Sequence, residues 1–385
     1  MSTKSTSFGK LLPVLFGFFV MGFVDIIGVS TANAQETLGL TETTAGLIGT
    51  MMFIWFLLLS VPTSMLMNRI GRKTTVQISN VVTIVGMMIP FFAYDIVTLL
   101  ISFAMLGIGN TMLQVSLNPL LTNVVKGDSL TSSLTTGQVV KAVSSFCGPL
   151  IVLFATSYFG KWQYTFPIYA LVTLVAAIWL QLTPIKEEKP DAAASIGATF
   201  GLLKDMRILL LFLGIIFVVG VDVGGNTIAP KLLRAICGLE TKEAGLGSSI
   251  YFACRTAGAF LGAFLLVRVN DIVYFRVNIT LALAAAVMLF FAQSATTILI
   301  FVGAIGFLCS SLFAVIFSQA LKARPDKKNE ISGLLISAIV GGALVPPAMG
   351  YLSDLFGNPS YSAIVLIACI TYLVICSFVL KKSYK

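Results

Sequence analysis

Four charged residues lie inside long apolar stretches of the sequence: Asp25, Lys141, Asp222 and Arg255. A charged group at the centre of a bilayer costs about 2.5–3.5 kcal/mol on insertion scales, so each is a functional candidate. Desolvation disfavours the charged form of a carboxyl group, and we predict that Asp25 and Asp222 load and release protons as water access changes. The alternative is that Asp25–Lys141 and Asp222–Arg255 are permanent ion pairs that stabilise the fold. The Gly-Gly-Asn sequence shortly after Asp222 predicts an irregular helix there.

Neutral amides form a second group of candidates in the same stretches: Gln114, Asn118, Gln138 and Asn226. An amide presents donors and acceptors to hydroxyl groups, so this group is suited to binding a polyol. Gln114 and Asn118 are four residues apart and share one helix face. Lys141 adds a cation to the predicted binding residues, which leaves open an acidic sugar as the substrate.

Several kinds of chemistry are excluded by what the sequence lacks. Histidine is absent, which removes the common serine and cysteine nucleophile arrangements, histidine proton relays and the usual zinc sites. The six cysteines occur singly, so neither a disulfide nor a metal site is expected. No nucleophile–base pair or phosphate-binding loop is visible, and we predict a protein that is not an enzyme and uses no cofactor. The net charge of +9 is dispersed over short loops, so no nucleic-acid partner is expected.

The candidate residues must be positioned by helices that cross a membrane. Of the 385 residues, 57% are hydrophobic and only 11% are charged, whereas soluble globular domains carry about 25% charged residues. Twelve apolar stretches are long enough for a helix that crosses about 30 Å of hydrocarbon. These stretches run at about 11–34, 44–66, 74–93, 96–124, 130–157, 162–183, 208–234, 243–267, 272–292, 296–320, 331–352 and 360–380.

The distribution of cations predicts the orientation of the chain. When both termini are placed in the cytoplasm, most of the 25 Lys and Arg residues fall on the inner side of the membrane. The positive-inside rule predicts this asymmetry. We therefore expect a multi-pass protein of the inner (cytoplasmic) membrane that contacts the lipid bilayer, has both termini in the cytoplasm and works as a monomer.

An internal repeat divides the chain into two halves. Residues 38–53, LGLTETTAGLIGTMMF, resemble residues 237–252, CGLETKEAGLGSSIYF, at an offset of 199. Further matches follow in the same order at nearly the same offset, which is not expected by chance. We predict an N-terminal six-helix bundle over residues 1–183, a cytoplasmic linker over 184–207 and a C-terminal six-helix bundle over 208–385. This all-α membrane fold of twelve transmembrane helices in two pseudo-symmetric bundles resembles the major facilitator transporters, in which alternating access moves substrate held between the halves.

The stretch SMLMNRIGRK, between the second and third predicted helices, resembles the loop signature Gly-x-x-x-Asp-Arg-x-Gly-Arg-Arg/Lys of major facilitator transporters. The matching residues are Arg69, Gly71, Arg72 and Lys73. Asn68 stands where the signature has an acid, so one ion pair of the family's loop is missing. The resemblance implies a gating role for Arg69, Arg72 and Lys73, and we assign the same role to Arg255. The alternative is that the loop's cations only fix the topology.

Motifs in several predicted helices narrow the resemblance to the fucose:proton symporter family of sugar transporters. The similar elements are FFVMGF at residues 18–23, Asn118-Pro119-Leu120, Gln138, the pattern Phe252-x-x-Arg255-x-x-Gly258, Ile316-Phe317-Ser318 and VGGALVPPAMGYLSDLFGN at residues 340–358. The last of these is the most specific. The resemblance implies a secondary active transporter that imports a monosaccharide, or a related small polar solute, with a coupled proton by alternating access.

Two positions depart from that family. The family's fucose transporter has a glutamate where this chain has Gln114, and an aspartate where this chain has Val29. Asp25 lies one turn before Val29 on the same helical face. The proton site is therefore not a direct copy of the family's site.

Two other functions stay open. A drug or metabolite:proton antiporter that exports its substrate favours an aromatic, apolar cavity, whereas the candidate binding residues here are amides. A membrane sensor that keeps the fold without transporting is the second alternative. Carboxylates that can titrate within a polar set argue against a sensor, and substrate-dependent flux would exclude it.

Overall fold

The long apolar stretches fold into helices, and every regular element among the described residues is helical. The computed structural model describes residues 8–40, 42–125, 129–187, 195–239, 244 and 246–380. The first half contains α1 (Phe8–Met21), α2 (Ile27–Leu38), α3 (Glu42–Ile70), α4 (Arg72–Phe92), α5 (Ile96–Val124), α6 (Ser129–Phe159), α7 (Thr165–Leu182) and α8 (Ile196–Gly201). The second half contains α9 (Met206–Cys237), α10 (Leu246–Leu265), α11 (Asp271–Phe290), α12 (Ala295–Cys309), α13 (Leu312–Ala323), α14 (Lys328–Ser337), α15 (Gly341–Phe356) and α16 (Ser362–Val379).

Eleven helical stretches in the described part of the chain are long and apolar enough to cross a membrane. They correspond to eleven of the twelve predicted spans. The remaining span contains α10, whose 20 residues include Arg255 together with glycines and serines that lower its hydropathy. Counting α10 gives the twelve spans that the sequence predicts.

Local sequence sets several of the helix ends. The carboxylate of Asp95 accepts two backbone N–H groups at the start of α5, and Thr98 completes a capping box. Asn270 accepts two backbone N–H groups at the start of α11. Gly238 and Gly357 end α9 and α15 in the left-handed conformation that favours glycine. These caps satisfy backbone groups that the helices leave unpaired at their ends.

The first of two compact units takes in the described residues of 1–130, 137–201 and 324–337. Within it, α5 packs against α3 and α4, and α14 packs against α3. Gly86 allows α4 to approach α5 closely, because a Cβ there would lie 2.6 Å from the Cβ of Met105. The unit thus combines helices of the first half with a short helix, α14, from the second half.

The second compact unit takes in the described residues of 131–136, 202–323 and 338–385. Within it, α15 and α16 pack against α9, α10 packs against α12, and α11 packs against α12 and α16. The start of α6, from the first half of the chain, belongs to this unit. Each unit therefore includes the beginning of one long span from the other sequence half.

In the described part of the chain, three of the predicted spans are interrupted. A 3₁₀ segment at Gly22–Ile26 separates α1 from α2, a turn separates α12 from α13, and a second 3₁₀ segment at Ala338–Val340 separates α14 from α15. The prediction of an irregular helix beside Asp222 was wrong, because α9 is one unbroken helix. The two glycines after Asp222 serve close packing instead: Cβ atoms there would clash with Met349 and Tyr251.

Candidate functional site

Asp25 lies on the 3₁₀ segment between α1 and α2, and its side chain is exposed. The hydroxyl of Ser145 on α6 donates a hydrogen bond to its carboxylate. Lys141, one turn before Ser145, is half-buried, and no ion pair with Asp25 occurs among the residues that the structure describes. The first predicted carboxylate is therefore held by a hydroxyl group and is exposed at the surface of the chain.

Gly22 explains how the segment that carries Asp25 approaches α6. A Cβ on Gly22 would lie 2.6 Å from the backbone oxygen of Lys141 and 2.6 Å from the Cβ of Ser144. Real Cβ atoms do not come so close, so only glycine allows this packing. The close approach places Asp25 within reach of Ser145.

The amides of α5 form a buried ladder of hydrogen bonds. Gln114 Nε2 donates to Asn110 Oδ1 at 2.7 Å, and Asn110 Nδ2 donates to the backbone oxygen of Met21 at 2.9 Å. Asn118 Nδ2 donates to the backbone oxygen of Gln114 at 2.8 Å. The Oδ1 atom of Asn118 is buried and has no partner among the described residues. Gln114 Oε1 makes no hydrogen bond with a described residue either, so both predicted binding amides retain an acceptor atom. Asn110, which the sequence analysis missed, joins them to the first span.

Gln138 lies on α6, three residues before Lys141, so the two side chains share a helix face. Gln138 is half-buried and makes no hydrogen bond with a described residue. This face of α6 continues to Ser145, the donor to Asp25. An amide, an ammonium and a hydroxyl therefore follow one another along a single face in the first unit.

Asp222 in the second unit has different partners. Its Oδ1 atom lies 2.6 Å from Arg255 Nε in an ion pair, and the hydroxyl of Tyr251 donates to the same oxygen at 2.9 Å. The Asp222 and Arg255 side chains are 34% and 24% exposed, so the pair is only partly shielded from water. The alternative prediction of an Asp222–Arg255 ion pair agrees with this geometry.

Asn226 lies one turn after Asp222 on α9. Its backbone oxygen accepts a hydrogen bond from the hydroxyl of Ser248 at 3.1 Å. Its side-chain Oδ1 is buried and has no partner among the described residues. A buried acceptor without a partner costs free energy, and a hydroxyl group of a ligand would remove that cost.

The predicted gating loop contacts α14 within the first unit. Arg72 is buried, and its guanidinium donates to Asn329 Oδ1 at 2.8 Å and to Asn123 Oδ1 at 2.6 Å. Asn329 Nδ2 donates in turn to Asn68 Oδ1 at 2.6 Å. Asn68, which replaces the acid of the family signature, also donates to Glu330 at 3.2 Å. Amide hydrogen bonds therefore join the loop to α14, without the acid that the family signature carries at this position.

A second set of contacts fastens the loop to the segment after α7. The carboxylate of Glu187 accepts the backbone N–H groups of Arg72 at 2.6 Å and Lys73 at 2.7 Å, at the N-terminus of α4. The ammonium of Lys73 donates to backbone oxygens of Gln181 and Thr183 at the end of α7. Arg69, the third predicted gating cation of the loop, is exposed and makes no ion pair within the described part of the chain.

A cluster around Asp271 in the second unit occupies positions that correspond, through the sequence repeat, to those of the Arg72 cluster. Asp271 Oδ2 accepts from Lys322 at 2.9 Å, from Gln319 at 2.7 Å and from Thr131 at 3.3 Å. At the offset of 199, Arg72 corresponds to Asp271 and Asn123 corresponds to Lys322. Thr131 begins α6 as Asn329 begins α14. Equivalent positions in the two units therefore hold the beginning of a helix that comes from the other half of the sequence.

Comparisons with known proteins agree with this architecture. Residues 14–335 match the Major Facilitator Superfamily. The chain is 26% identical to a glucose/galactose transporter of Brucella abortus biovar 1 (strain 9-941), over 95% of this chain and 92% of that protein. The match spans both halves of the sequence.

Solved structures show the same fold. The fucose:proton symporter of E. coli superposes with a TM-score of 0.85 at 17% identity and covers 97% of this chain and 98% of its own. A proton:xylose symporter superposes with a TM-score of 0.73 at 14% identity, over 97% of this chain and 95% of that structure's chain. A bacterial homologue of the iron transporter ferroportin superposes with a TM-score of 0.76 at 15% identity, over 96% of this chain and 98% of that structure's chain. Because this fold carries such different substrates, the substrate must be argued from the site. The predicted all-α fold of twelve transmembrane helices in two six-helix bundles is confirmed.

Proposed function

Because this chain belongs to the Major Facilitator Superfamily, a family of transporters and not of enzymes, we propose that it imports a monosaccharide together with a proton by alternating access. The observation that carries the proposal is the pairing of an exposed carboxylate, Asp25, with a buried ladder of amides through α1 and α5. The relative from Brucella abortus, a glucose/galactose transporter, supports a hexose as the substrate.

The proposed substrate-binding residues are Gln114, Asn118, Gln138, Lys141 and Asn226. The unpaired Oδ1 atoms of Asn118 and Asn226 accept sugar hydroxyl groups, which restores hydrogen bonds that the buried oxygens lack. Lys141 makes no ion pair with a described residue, which keeps an acidic sugar as the second substrate class to test.

Asp25 is the proposed proton carrier, and Asp222 has the lesser part in proton coupling. Protonation of Asp222 would remove the anionic partner of Arg255 and leave the guanidinium unpaired in a partly buried site. Protonation of Asp25 leaves no cation without its partner, because Asp25 is held by a serine hydroxyl. We therefore propose Asp25 as the main proton carrier, keep Asp222 as the secondary one, and assign Arg255, the ion-pair partner of Asp222, to gating.

The two clusters around Arg72 and Asp271 are proposed to gate the cytoplasmic side. Each holds the beginning of a helix from the other sequence half by bonds that involve at least one charged group. Arg72 and Lys73 act in the first cluster, and Arg69 contributes positive charge at its surface. This assignment requires the orientation that the positive-inside rule predicts, with both termini in the cytoplasm. In this proposal the protein lies in the inner membrane and works as a monomer.

Sugar-triggered alkalinisation outside proteoliposomes tests the proposal. Purified protein is reconstituted and offered neutral hexoses, deoxyhexoses, amino sugars and uronates, while the external pH is recorded. We expect D-glucose or D-galactose to raise the external pH, and Asp25→Asn to abolish the response. Asp354→Asn is the matched control, because Asp354 is an exposed aspartate whose side chain bonds to no described residue.

Labelled uptake separates the possible failures. A sugar that enters only with sodium would replace the proton in this proposal but keep the substrate. A drug that leaves the vesicles in exchange for protons would establish the exporter instead. No flux of any tested solute through folded protein would favour the sensor and contradict the proposed import.

A further inference from the structure

The interruption of the first span is not explained by its own sequence. Irregular helices arise from proline, from small-residue pairs, from π-bulges or from a side chain that inserts into the backbone ladder. The proline of α1, Pro13, lies more than two turns before the 3₁₀ segment Gly22–Ile26. Asn110 of α5 instead donates to the backbone oxygen of Met21, at the point where the segment begins. An inserted amide from a neighbouring helix is therefore the cause that the contacts support.

The orientation of Asn110 is fixed by its two partners. The side chain is buried, with only 2% exposed. Its Nδ2 atom faces the Met21 carbonyl and its Oδ1 atom accepts from Gln114. Reversing the amide would place an oxygen against the Met21 oxygen, which cannot form a hydrogen bond. Asn110 thus accepts a hydrogen bond from Gln114 through one side-chain atom and donates one to the first span through the other.

Gln114 retains one atom for a ligand. Its Nε2 is committed to Asn110, and its Oε1 makes no hydrogen bond with a described residue. A sugar hydroxyl that donates to Oε1 would polarise the same amide whose N–H group bonds to Asn110, and linked hydrogen bonds strengthen one another. Substrate contact is therefore transmitted, bond by bond, to the segment that carries Asp25.

We propose that Asn110 is a positioning residue that couples sugar contact at Gln114 to the 3₁₀ segment Gly22–Ile26 and so to Asp25. The proposal rests on the sugar and proton transport proposed above, and it assigns one step of that cycle. Sugar at Gln114 tightens the bond from Asn110 to Met21, and this fixes the place of Asp25 beside Ser145. Asn110 itself touches neither the proton nor, in this arrangement, the sugar.

Hydrogen exchange of the backbone amides in residues 22–26 tests this step without measuring protons or transport. The variants are Asn110→Leu, which removes both bonds at similar volume, and the matched control Asn80→Leu. Asn80 is an equally buried amide of the first unit that bonds to Gln77 within its own helix. Exchange is followed with and without saturating D-galactose or D-glucose, and binding of each sugar is measured separately by equilibrium dialysis.

Sugar is expected to slow exchange of this segment about fivefold or more in the wild type and in Asn80→Leu, a coupling of ordinary allosteric size. In Asn110→Leu the segment exchanges faster without sugar, and bound sugar no longer slows it. Sugar binding that leaves exchange unchanged in the wild type would overturn the coupling alone. Equal sugar protection in Asn110→Leu would also overturn it. If neither D-galactose nor D-glucose binds to the wild type, the proposed hexose substrate is overturned. This inference, which depends on it, is then overturned as well.

A variant that fails to fold does not remove the test. Asn110→Ser keeps a small hydroxyl donor on α5 and is expected to retain part of the sugar-dependent protection. A purely structural role for Asn110 predicts lower thermal stability in both variants but an unchanged ratio of exchange rates with and without sugar. That ratio, measured on folded protein only, decides between positioning and stability.

Discussion

Asp25 and Asp222 occupy similar places in the two sequence repeats, yet their surroundings differ in kind. Asp25 lies on a 3₁₀ segment and bonds to a serine hydroxyl, whereas Asp222 lies on an unbroken helix and bonds to Arg255 and Tyr251. An aspartate without a cation can change its charge at little cost to its neighbours. An aspartate in an ion pair cannot, because its loss leaves the cation unpaired. The repeat has thus kept the position of the carboxylate and changed its partners.

The helix that carries each carboxylate differs in the same direction. Close packing at Gly22 and the hydrogen bond from Asn110 to Met21 hold a 3₁₀ segment around Asp25. Around Asp222 the glycines of α9 pack tightly against Met349 and Tyr251. The first carboxylate therefore lies where a helix is interrupted, and the second lies on a continuous, closely packed helix.

The largest effect is expected when Asp25 loses its ability to carry a proton. Asp25→Asn should abolish accumulation of sugar against its gradient while leaving exchange of labelled for unlabelled sugar measurable. The amide keeps a hydrogen bond with Ser145 but cannot carry a proton. Counterflow and gradient-driven uptake in the same proteoliposomes measure the two activities. Loss of exchange as well would reassign Asp25 to substrate binding or folding, and normal accumulation would remove it from proton coupling.

The next effect concerns the ion pair of the second unit. Arg255→Leu leaves Asp222 without its cation and should lower the free energy of unfolding by about 1.5–3 kcal/mol, the range for hydrogen bonds to charged groups. The double variant Asp222→Asn with Arg255→Leu should recover part of that loss, because it leaves no unpaired charge. Thermal unfolding in detergent measures the wild type, the two single variants Arg255→Leu and Asp222→Asn, and the double variant. A double variant that is less stable than both single variants would show that the pair itself, and not the orphaned charge, decides stability.

A smaller effect tests the close approach of the first span to α6. Gly22→Ala places a Cβ against the backbone oxygen of Lys141 and the side chain of Ser144 and should destabilise the protein by about 1–3 kcal/mol, as overpacking does. Gly9→Ala, on the same span, is the matched control, because a Cβ there meets no atom within 4 Å. The control should keep or slightly raise the unfolding temperature, since alanine favours helix. Equal behaviour of the two variants would contradict the close packing at Gly22.

The fold could be predicted because its determinants are local. A span requires about 20 apolar residues in succession, and the composition of each stretch shows this directly. The costly charges could be found for the same reason, and Asp222–Arg255 was one of the two pairs considered. The span around Arg255 is not among the eleven described stretches that are long and apolar enough, because its arginine, glycines and serines lower its mean hydropathy.

The contacts of the site could not be predicted because they join residues far apart in the sequence. Asn110 bonds to a residue 89 positions away, Arg72 to one 257 positions away, and Glu187 to one 115 positions away. No spacing rule connects such residues in a single sequence. The glycines after Asp222 misled for a related reason: a Gly-Gly pair predicts irregularity or close packing equally well, and the neighbouring helix decides between them.

The smallest effect compares the binding amides of the two units. Gln138→Ala and Asn226→Ala should each weaken sugar affinity about fivefold, since one hydrogen bond contributes about 1 kcal/mol. Neither should change the number of protons moved per sugar, because neither residue bonds to Asp25. Asn278→Ala is the control, as that amide bonds only to the backbone of its own helix. Equilibrium dialysis and the alkalinisation assay measure affinity and stoichiometry on the same preparations. Unchanged affinity in Gln138→Ala would remove Gln138 from the proposed binding residues. A changed number of protons per sugar in either variant would show that the residues proposed for substrate binding also take part in proton coupling.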